Sequence, residues 1–325
     1  MAAFTLAQAK NLSQDKLTNY VIDEFRKSPL LDAMVFDDTV KPQGGNTMTY
    51  VYNRVKTLAT AAGRALNAEY TPQQADTEQV KVDLKVFGGS FQIDRVIAAY
   101  EKQVLDLVQF QLQQKTAATR ALFQDWMING DSAATAEAFD GLAKILKGAS
   151  TEVTLEDSAL LDLSSAAQVK ANWQSFLYEL RQVEKLLDGE PGVILVNNDL
   201  FAVFQSVADL STQFQQTKNE LGTQIVKYGN ATIMKMGDKP GTATPIIQTD
   251  SVKGTTDMYL FRIGLDGVHG VTPEGTKEPK IYLPDMTRPG AVKTGEVEMV
   301  AAMAVKATRS AAVLHGIQVA PATGA

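Results

Sequence analysis

Alternating hydrophobic and polar residues predict two strands of a long hairpin in the first third of the chain. The first strand, at 47–55, reads TMTYVYNRV, and the second, at 80–93, reads VKVDLKVFGGSFQI. In the second strand Val80, Val82, Leu84 and Val86 share one face, and lysine and aspartate share the other, which is the period of a half-buried strand. Strands of this length project tens of ångströms, because each residue adds about 3.3 Å.

The connection between these strands, at 57–79, reads TLATAAGRALNAEYTPQQADTEQ and has neither a helix period nor a strand period. A compact domain seldom contains so long a connection without regular structure. Two strands alone are marginally stable in water, and no third strand follows nearby in the sequence. The pattern therefore predicts an arm that packs against a neighbouring subunit.

Helical spacing of apolar residues predicts three helices within the first 187 residues of the chain. One begins within 12–35, where Ser13 or Asp15 can cap it and Pro29 ends it. A long helix is predicted at roughly 94–128, with the apolar stripe Ile97, Val104, Val108, Leu112, Leu122 and Trp126. A further helix is predicted at 165–187, with the apolar face Val169, Trp173, Phe176, Leu177, Leu180 and Val183.

The second half of the chain predicts short strands around one more helix. The apolar run GVILVNN at 192–198 is typical of a buried strand, and Asp199 is predicted to cap a short helix at 200–210. Further strands are predicted at 231–236, 244–249 and 257–263, and two strand-like segments close the chain at 295–309 and 310–319.

Composition and charge exclude several classes of protein. The 325 residues suffice for two domains or one large one, and they include no cysteine, which excludes disulfides and thiolate metal sites and fits synthesis in a reducing compartment. No run of about 18 apolar residues predicts a membrane span, and no apolar signal core begins the chain. The net charge is −6, without the basic stripe expected of a protein that grips nucleic acid.

A search for catalytic chemistry finds no motif. The two histidines, His269 and His315, lack metal-ligand spacing, and neither a nucleophile elbow nor a phosphate-binding glycine loop is present. Asp131 and Asp285 are interpreted as turn formers, Glu296 and Glu298 as the solvated face of a strand, and the aromatic residues Tyr50, Tyr52, Phe87 and Phe91 as packing residues. The sequence predicts no catalytic residue, no cofactor and no metal site.

Five segments, in order along the chain, carry a resemblance to a known family: GRALNAEYTP at 63–72, VFGGSFQIDRVIAAY at 86–100, FQDWMINGDSAATAEAFDGL at 123–142, GVILVNNDLFAVFQSVAD at 192–209 and MAVKATRSAAVLHGI at 303–317. They resemble, in turn, the tip of the extended loop, its return into the spine helix, the end of that helix, the start of the apical domain and the closing strand pair of tailed-bacteriophage major capsid proteins. The fold of that family is named after the phage Hong Kong 97.

The resemblance implies an α+β fold with five parts. These are an N-terminal arm (1–46), an extended two-stranded loop (47–93), a peripheral domain with the spine helix and second helix (94–188), an apical domain (189–280) and the closing strands of the peripheral domain (281–325). The candidate subunit-interface residues near the loop tip are Arg64, Asn67, Glu69 and Tyr70. Arg64 and Glu69 are the charged residues that flank the tip, so we expect them to pair across subunits; the alternative is that both are solvated and contribute about 0–1 kcal/mol.

The implied function is structural and not enzymatic. Subunits would assemble as pentamers and hexamers into an icosahedral phage head that encloses double-stranded DNA without sequence-specific binding. The implied partners are further copies of the chain, a separate scaffolding protein and a portal, with no membrane. The protein would be made in the host bacterial cytoplasm and reside in the virion. Net acidity fits a container that does not bind its contents tightly.

The sequence departs from the family pattern in two places. Some members carry a long N-terminal scaffolding segment, whereas here the extended loop begins near residue 47, so no such segment is expected. Some members also cross-link subunits through a lysine at the loop tip. Residues 57–79 contain no lysine, and the nearest are Lys56 and Lys81, so no isopeptide bond is expected.

Two alternatives remain open at this point. A bacterial encapsulin resembles the same fold but encloses enzymes, and its subunits are generally shorter than this chain. A soluble enzyme with an unrecognised site would need a convergent cluster of polar residues in a pocket, for which the chain offers few candidates.

Overall fold

The computed structural model describes residues 29–40, 45–100, 107–155, 161–211, 213–218 and 224–322. The helices are α1 (Leu30–Ala33), α2 (Arg95–Tyr100), α3 (Leu107–Asn129), α4 (Leu142–Leu146), α5 (Ala166–Glu184) and α6 (Asn198–Leu210). The strands are β1 (Phe36–Asp37), β2 (Thr49–Thr57), β3 (Asp76–Asp83), β4 (Lys85–Asp94), β5 (Glu152–Thr154), β6 (Leu161–Asp162), β7 (Val193–Val196), β8 (Phe214–Lys218), β9 (Gln224–Tyr228), β10 (Ala231–Lys235), β11 (Thr255–Phe261), β12 (Val268–Val271), β13 (Lys280–Tyr282), β14 (Val292–Val305) and β15 (Ala311–Gln318).

The first of two large sheets is built around the long strand β14. β14 pairs antiparallel with β4 over ten residue pairs, from Val292 opposite Asp94 to Ala301 opposite Lys85. It also pairs with β12 and β13, and β1 adds parallel to β12. Helix α3 packs on this sheet and contributes buried side chains, including Phe123 and Met127, to its hydrophobic core.

The second sheet has eight strands, in the order β5-β15-β11-β7-β10-β9-β8, with β6 also paired to β15. Its strand β7 explains the continuous apolar run in the sequence, because both faces of the strand are covered. Val193 and Leu195 belong to the core that α3 shares, whereas Ile194 and Val196 belong to a second core under α5 and α6. A strand buried on both faces loses the alternation of a surface strand.

The predicted hairpin is confirmed for its base, where β2 pairs with β3, and is wrong for the second half of its return strand. The return of the hairpin is two strands, of which β3 pairs with β2 whereas β4 pairs with β14, about 200 residues further along the chain. The closing segments β14 and β15 lie in different sheets and do not pair with each other. The period of a strand predicts its faces and leaves its partner open.

The helix predictions are correct in type and partly wrong in detail. The face of α5 is confirmed, with Phe176, Leu180 and Val183 among its buried residues and Trp173 packed against them. The long predicted helix corresponds to α2 and α3, with residues 101–106 outside the described part. Its predicted stripe is wrong around residue 122, where Leu122 is only partly buried and Phe123 is fully buried.

Two further corrections concern the cap of α6 and a short segment. The cap of α6 is Asn197, whose Oδ1 accepts a hydrogen bond from the Leu200 N–H at 2.8 Å. The predicted cap Asp199 instead accepts a hydrogen bond from the Thr249 hydroxyl. The predicted strand at 244–249 makes only an isolated bridge at Pro245. The predicted N-terminal helix lies outside the described residues apart from the end of its segment, where Pro29 precedes α1.

Among the described residues, no helix is both long and apolar enough to cross a membrane.

Candidate functional site

The distal part of the extended loop makes little contact with its own chain. All residues from 55 to 79 are exposed, and the exposed fraction reaches 94% at Leu66 and 79% at Leu58. Beyond the Thr57–Asp76 pair of β2 and β3, the segment 58–75 forms no strand. Exposed apolar side chains on an arm with no core of its own are typical of a surface that binds another chain.

The tip of this loop is nevertheless an ordered turn. The Ala68 N–H donates to the Ala65 carbonyl at 3.2 Å, and Asn67 adopts φ of 67°. Asparagine tolerates this left-handed conformation better than most residues. The Arg64 guanidinium donates to the Ala68 carbonyl at 3.2 Å and lies 5.5 Å from the centre of the Tyr70 ring.

Three of the four predicted interface residues therefore come together in one turn. Arg64, Asn67 and Tyr70 build the tip, and Glu69 lies exposed within it. Sequence reasoning missed Leu66, the most exposed large apolar residue of this loop. In the sequence, only its position between two charged residues of the segment 63–72 indicated that it is exposed. Because Arg64 is held by backbone carbonyls and a ring of its own chain, its contact with a neighbouring subunit stays a prediction.

The base of the extended loop packs on its own subunit, which corrects the prediction that a neighbouring chain supports the whole arm. The Tyr52 hydroxyl donates to the Val305 carbonyl at 2.8 Å. Arg54 donates through Nε to the Lys306 carbonyl and through Nη2 to the Val305 carbonyl, each at 2.9 Å. The end of β14 therefore anchors β2, and only the part beyond Arg54 is free to meet another chain.

Asp37, Tyr50, His269 and Lys306 form a cluster at this anchor, which we call the base cluster. The Tyr50 hydroxyl donates to Asp37 Oδ2 at 2.5 Å, and Lys306 Nζ lies 3.6 Å from the same oxygen. The Lys306 ammonium also lies 5.3 Å from the centre of the Tyr50 ring, and the His269 ring meets that ring edge-on at 5.7 Å. The cluster joins β1, β2 and β12 to the end of β14.

Burial and neighbouring charges shift the pKa of three groups in the base cluster. Burial opposes ionisation of Asp37, but the Tyr50 hydroxyl and the Lys306 ammonium leave the net pKa of this carboxyl below its usual value. Burial raises the pKa of the Tyr50 hydroxyl, and the Asp37 carboxylate adds to the effect. Burial and the neighbouring Lys306 charge lower the pKa of His269. At neutral pH the cluster therefore holds a carboxylate, an ammonium group, a phenol and a neutral imidazole.

Both aspartates that were interpreted as turn formers have that role. Asp131 Oδ1 accepts a hydrogen bond from the Ala133 N–H at 2.9 Å, and Asp285 Oδ1 accepts one from the Thr287 N–H at 2.9 Å. Lys144 Nζ also lies 2.6 Å from Asp131, and this contact lowers the pKa of the Asp131 carboxyl. Phe87 and Phe91 are buried, as the packing interpretation predicts.

His315 lies between two carboxylates on neighbouring strands of the second sheet. Its Nδ1 is 2.8 Å from Asp257 Oδ1 on β11, and its Nε2 is 3.5 Å from Glu152 Oε1 on β5. The hydrogen bond to Asp257 raises the pKa of His315, and burial opposes this in part. These contacts agree with the structural interpretation of His315, since they tie three strands together.

We expect the stability that His315 contributes to be lost as the pH rises. The folded state binds the proton more tightly than the unfolded chain, so the contribution is fully present below pH 6.5, the ordinary pKa, and disappears as the pH rises through the raised folded pKa. His315→Gln should therefore cost about 1 kcal/mol at pH 5.5 and little at pH 8.5. Urea unfolding at the two pH values measures this, and an equal cost at both would contradict it.

One cleft of the described structure lies beside the second sheet. This cleft of about 740 Å³ lies between the end of α5 and the β9–β10 turn. Its Arg181 is held by the Tyr228 hydroxyl and the Gln213 side chain, at 3.3 and 2.6 Å. Among the described residues, no group of three or more histidine, aspartate or glutamate side chains is arranged to hold a metal ion.

The fold as a whole is similar to those of proteins that build shells. The SrpI encapsulin of Synechococcus elongatus, in its holo complex, aligns with a TM-score of 0.66 at 14% identity, over 100% of this chain and 99% of that one. The capsid of a native GTA particle aligns with a TM-score of 0.62 at 10% identity, covering 94% and 96%. The capsid of Myoviridae phage XM1 aligns with a TM-score of 0.60 at 12% identity, covering 98% and 100%.

No protein-family model and no curated protein matches the sequence. The structural similarity, which extends over nearly the full length of each chain, shows the fold. The chain has the α+β capsid fold named after the phage Hong Kong 97, as the order of its elements predicts.

Proposed function

We propose that this chain is the subunit of a closed protein shell. The observation that carries the proposal is the exposed arm at 55–79, with Leu58 and Leu66 in solvent, on a chain that has the capsid fold over its whole length. An arm with no core of its own becomes stable only when a second copy covers it. A contact between an arm and a different surface of the next copy is heterologous, and such contacts generate rings and shells.

We further propose that the shell is a phage head that encloses double-stranded DNA. Pentamers and hexamers would form it, with a separate scaffolding protein and a portal as partners. Its five parts would have the boundaries 1–46, 47–93, 94–188, 189–280 and 281–325. The five family-like segments favour this reading. The encapsulin alternative keeps a specific observation in its favour, namely the TM-score of 0.66 to an encapsulin.

Electron microscopy of the purified full-length chain tests the shell proposal. Closed particles of uniform diameter support it, and a stable monomer at high concentration contradicts it. The neighbouring genes then separate the two kinds of shell. Genes for a terminase and a portal indicate a phage head, whereas a gene for a cargo enzyme indicates an encapsulin.

We expect no covalent cross-link between subunits at the loop tip. Residues 57–79 contain no lysine, so the tip has no ε-amine with which to form an isopeptide bond. Denaturing gel electrophoresis of mature particles should show a single band near 35 kDa. A ladder of covalent oligomers would contradict the expectation.

We expect Arg64→Ala to weaken the assembled shell without weakening the subunit. The substitution removes the guanidinium that holds the tip turn through the Ala68 carbonyl and the Tyr70 ring. The loss is about 0.5–1 kcal/mol per interface, since the contacts are exposed. Shells should therefore melt at a lower temperature while the unassembled chain melts as the wild type does.

Lys56→Ala is the matched control for this prediction, because it removes an exposed cation from the same arm outside the tip turn. Equal melting temperatures for Arg64→Ala and wild-type shells would show that the tip turn does not contribute to assembly.

A further inference from the structure

His269 is a titratable residue that the fold encloses completely. Its side chain is 0% exposed, and its ring packs edge-on against Tyr50 with 5.7 Å between the ring centres. Nδ1 lies 3.4 Å from the Gly267 carbonyl, so the neutral ring donates from this nitrogen. Nε2 is buried and has no hydrogen-bond partner among the described residues.

Every element packed around His269 presents a polar or charged group of the base cluster. β1 contributes Asp37, β2 contributes Tyr50, and the residue after β14 contributes Lys306. Asp37 holds both other groups, through the Tyr50 hydroxyl at 2.5 Å and the Lys306 ammonium at 3.6 Å. The neutral imidazole therefore sits where the extended loop, the strand that follows the N-terminal segment and the first sheet meet.

We propose that the base cluster is a proton-sensitive latch, in which neutral His269 lets the base of the extended loop close on its subunit and protonated His269 releases it. The proton comes from solvent and binds the lone pair of Nε2. In the closed cluster this creates a buried charge close to the Lys306 ammonium. It also creates an N–H donor at Nε2 that has no hydrogen-bond partner among the described residues, and an unpaired buried donor is costly. The Gly267 and Gly264 carbonyls and the Asp37 carboxylate offset only part of this cost, since the net pKa of His269 stays lowered.

When His269 is protonated, we expect β2 of the extended loop to move, and β12 to stay in its sheet. His269 lies on β12, which is paired with β14 and with β1 inside a sheet. Tyr50 lies on β2, which pairs only with β3 in a two-stranded sheet and rests on the subunit through Tyr50, Tyr52 and Arg54. An outward movement of β2 therefore breaks no strand pairing with either large sheet.

The direction of the pH effect depends on which state of the base cluster, closed or open, binds the proton of His269 more tightly. Burial and the Lys306 charge lower the pKa of His269 in the closed state, so the open state binds more protons. The closed state is therefore favoured above the ordinary pKa of 6.5 and becomes less favoured as the pH falls below it. Between pH 7 and pH 5 the open-to-closed ratio can rise at most about 25-fold, the limit for one histidine with an ordinary pKa in the open state.

Hydrogen exchange of the full-length chain tests the latch. Amide exchange is measured in residues 49–57 and 76–83 at pH 7 and pH 5, corrected for the intrinsic rates, at a concentration where light scattering gives the same assembly state at both pH values. The latch predicts faster corrected exchange at pH 5, by up to the 25-fold limit, in these segments and no change in β7. Unchanged exchange in the wild type overturns the proposal.

Variants assign the effect to one histidine. His269→Asn keeps a donor for the Gly267 carbonyl and cannot titrate, so its exchange should not depend on pH. His269→Phe, which keeps an aromatic edge toward Tyr50, serves if the first variant folds poorly. His315→Gln removes the only other histidine and should keep the wild-type response. An acid response that survives in either folded His269 variant, or disappears in His315→Gln, overturns the proposal. The latch concerns the single subunit, so its test is independent of whether shells form.

Discussion

Gly130→Ala should lower the free energy of unfolding by more than about 3 kcal/mol. A methyl group at Gly130 would lie 2.1 Å from the Phe139 carbonyl oxygen and 2.4 Å from the Trp126 carbonyl oxygen. Both oxygens belong to backbone that has little freedom to move. The Gly130 N–H donates to Trp126 at 2.9 Å, and the Gly141 N–H donates to the Gly130 carbonyl at 2.8 Å. These two hydrogen bonds hold the backbone on both sides of Gly130 in place.

Urea unfolding of the purified chain measures this change. Gly189→Ala is the matched control, because a methyl group there would have no heavy atom within 4 Å. The control should change the free energy of unfolding by less than about 0.5 kcal/mol. If Gly130→Ala costs less than about 1 kcal/mol, the turn relaxes and the close approach does not explain why glycine stands there.

Replacing residues 58–75 by Asn-Gly should leave the subunit folded and abolish closed shells. Thr57 and Asp76 are paired across β2 and β3, so a two-residue turn can join them directly. The deleted residues are all exposed and contribute nothing to either hydrophobic core. The melting temperature of the unassembled chain should therefore stay within about 3 °C of the wild type.

Electron microscopy and light scattering measure assembly of the shortened chain. A second variant, in which a glycine- and serine-rich segment of equal length replaces residues 58–75, controls for the reach of the arm. Loss of shells in both variants assigns assembly to the side chains of the tip. Shells formed by the Asn-Gly variant at the wild-type yield would show that the arm is dispensable and would remove the main support for the proposed function.

The sequence alone predicted the elements that depend on local pattern. Alternation at 80–84 placed Val80, Val82 and Leu84 on the more buried side, although the prediction is wrong for Val86, which is exposed. The spacing from Val169 to Val183 identified the buried face of α5. Segment order predicted the capsid fold, and the composition of 57–79 predicted an arm that lacks a core. The buried faces of helices and strands can be predicted because they depend only on side chains that are close together in the sequence, within a few helical turns or a few strand residues.

Only the tertiary structure decided which elements pair and which residues meet. β4 pairs with β14 across about 200 residues, and the alternation of Val80 to Val86 contains no information about that partner. Asp37, Tyr50, His269 and Lys306 come together from four separate segments, so no spacing in the sequence could place them in one cluster. The sequence by itself determined the faces of the helices and strands, because periodicity is local. Strand partners and the burial of His269 depend on long-range packing, which exists only after the chain has folded.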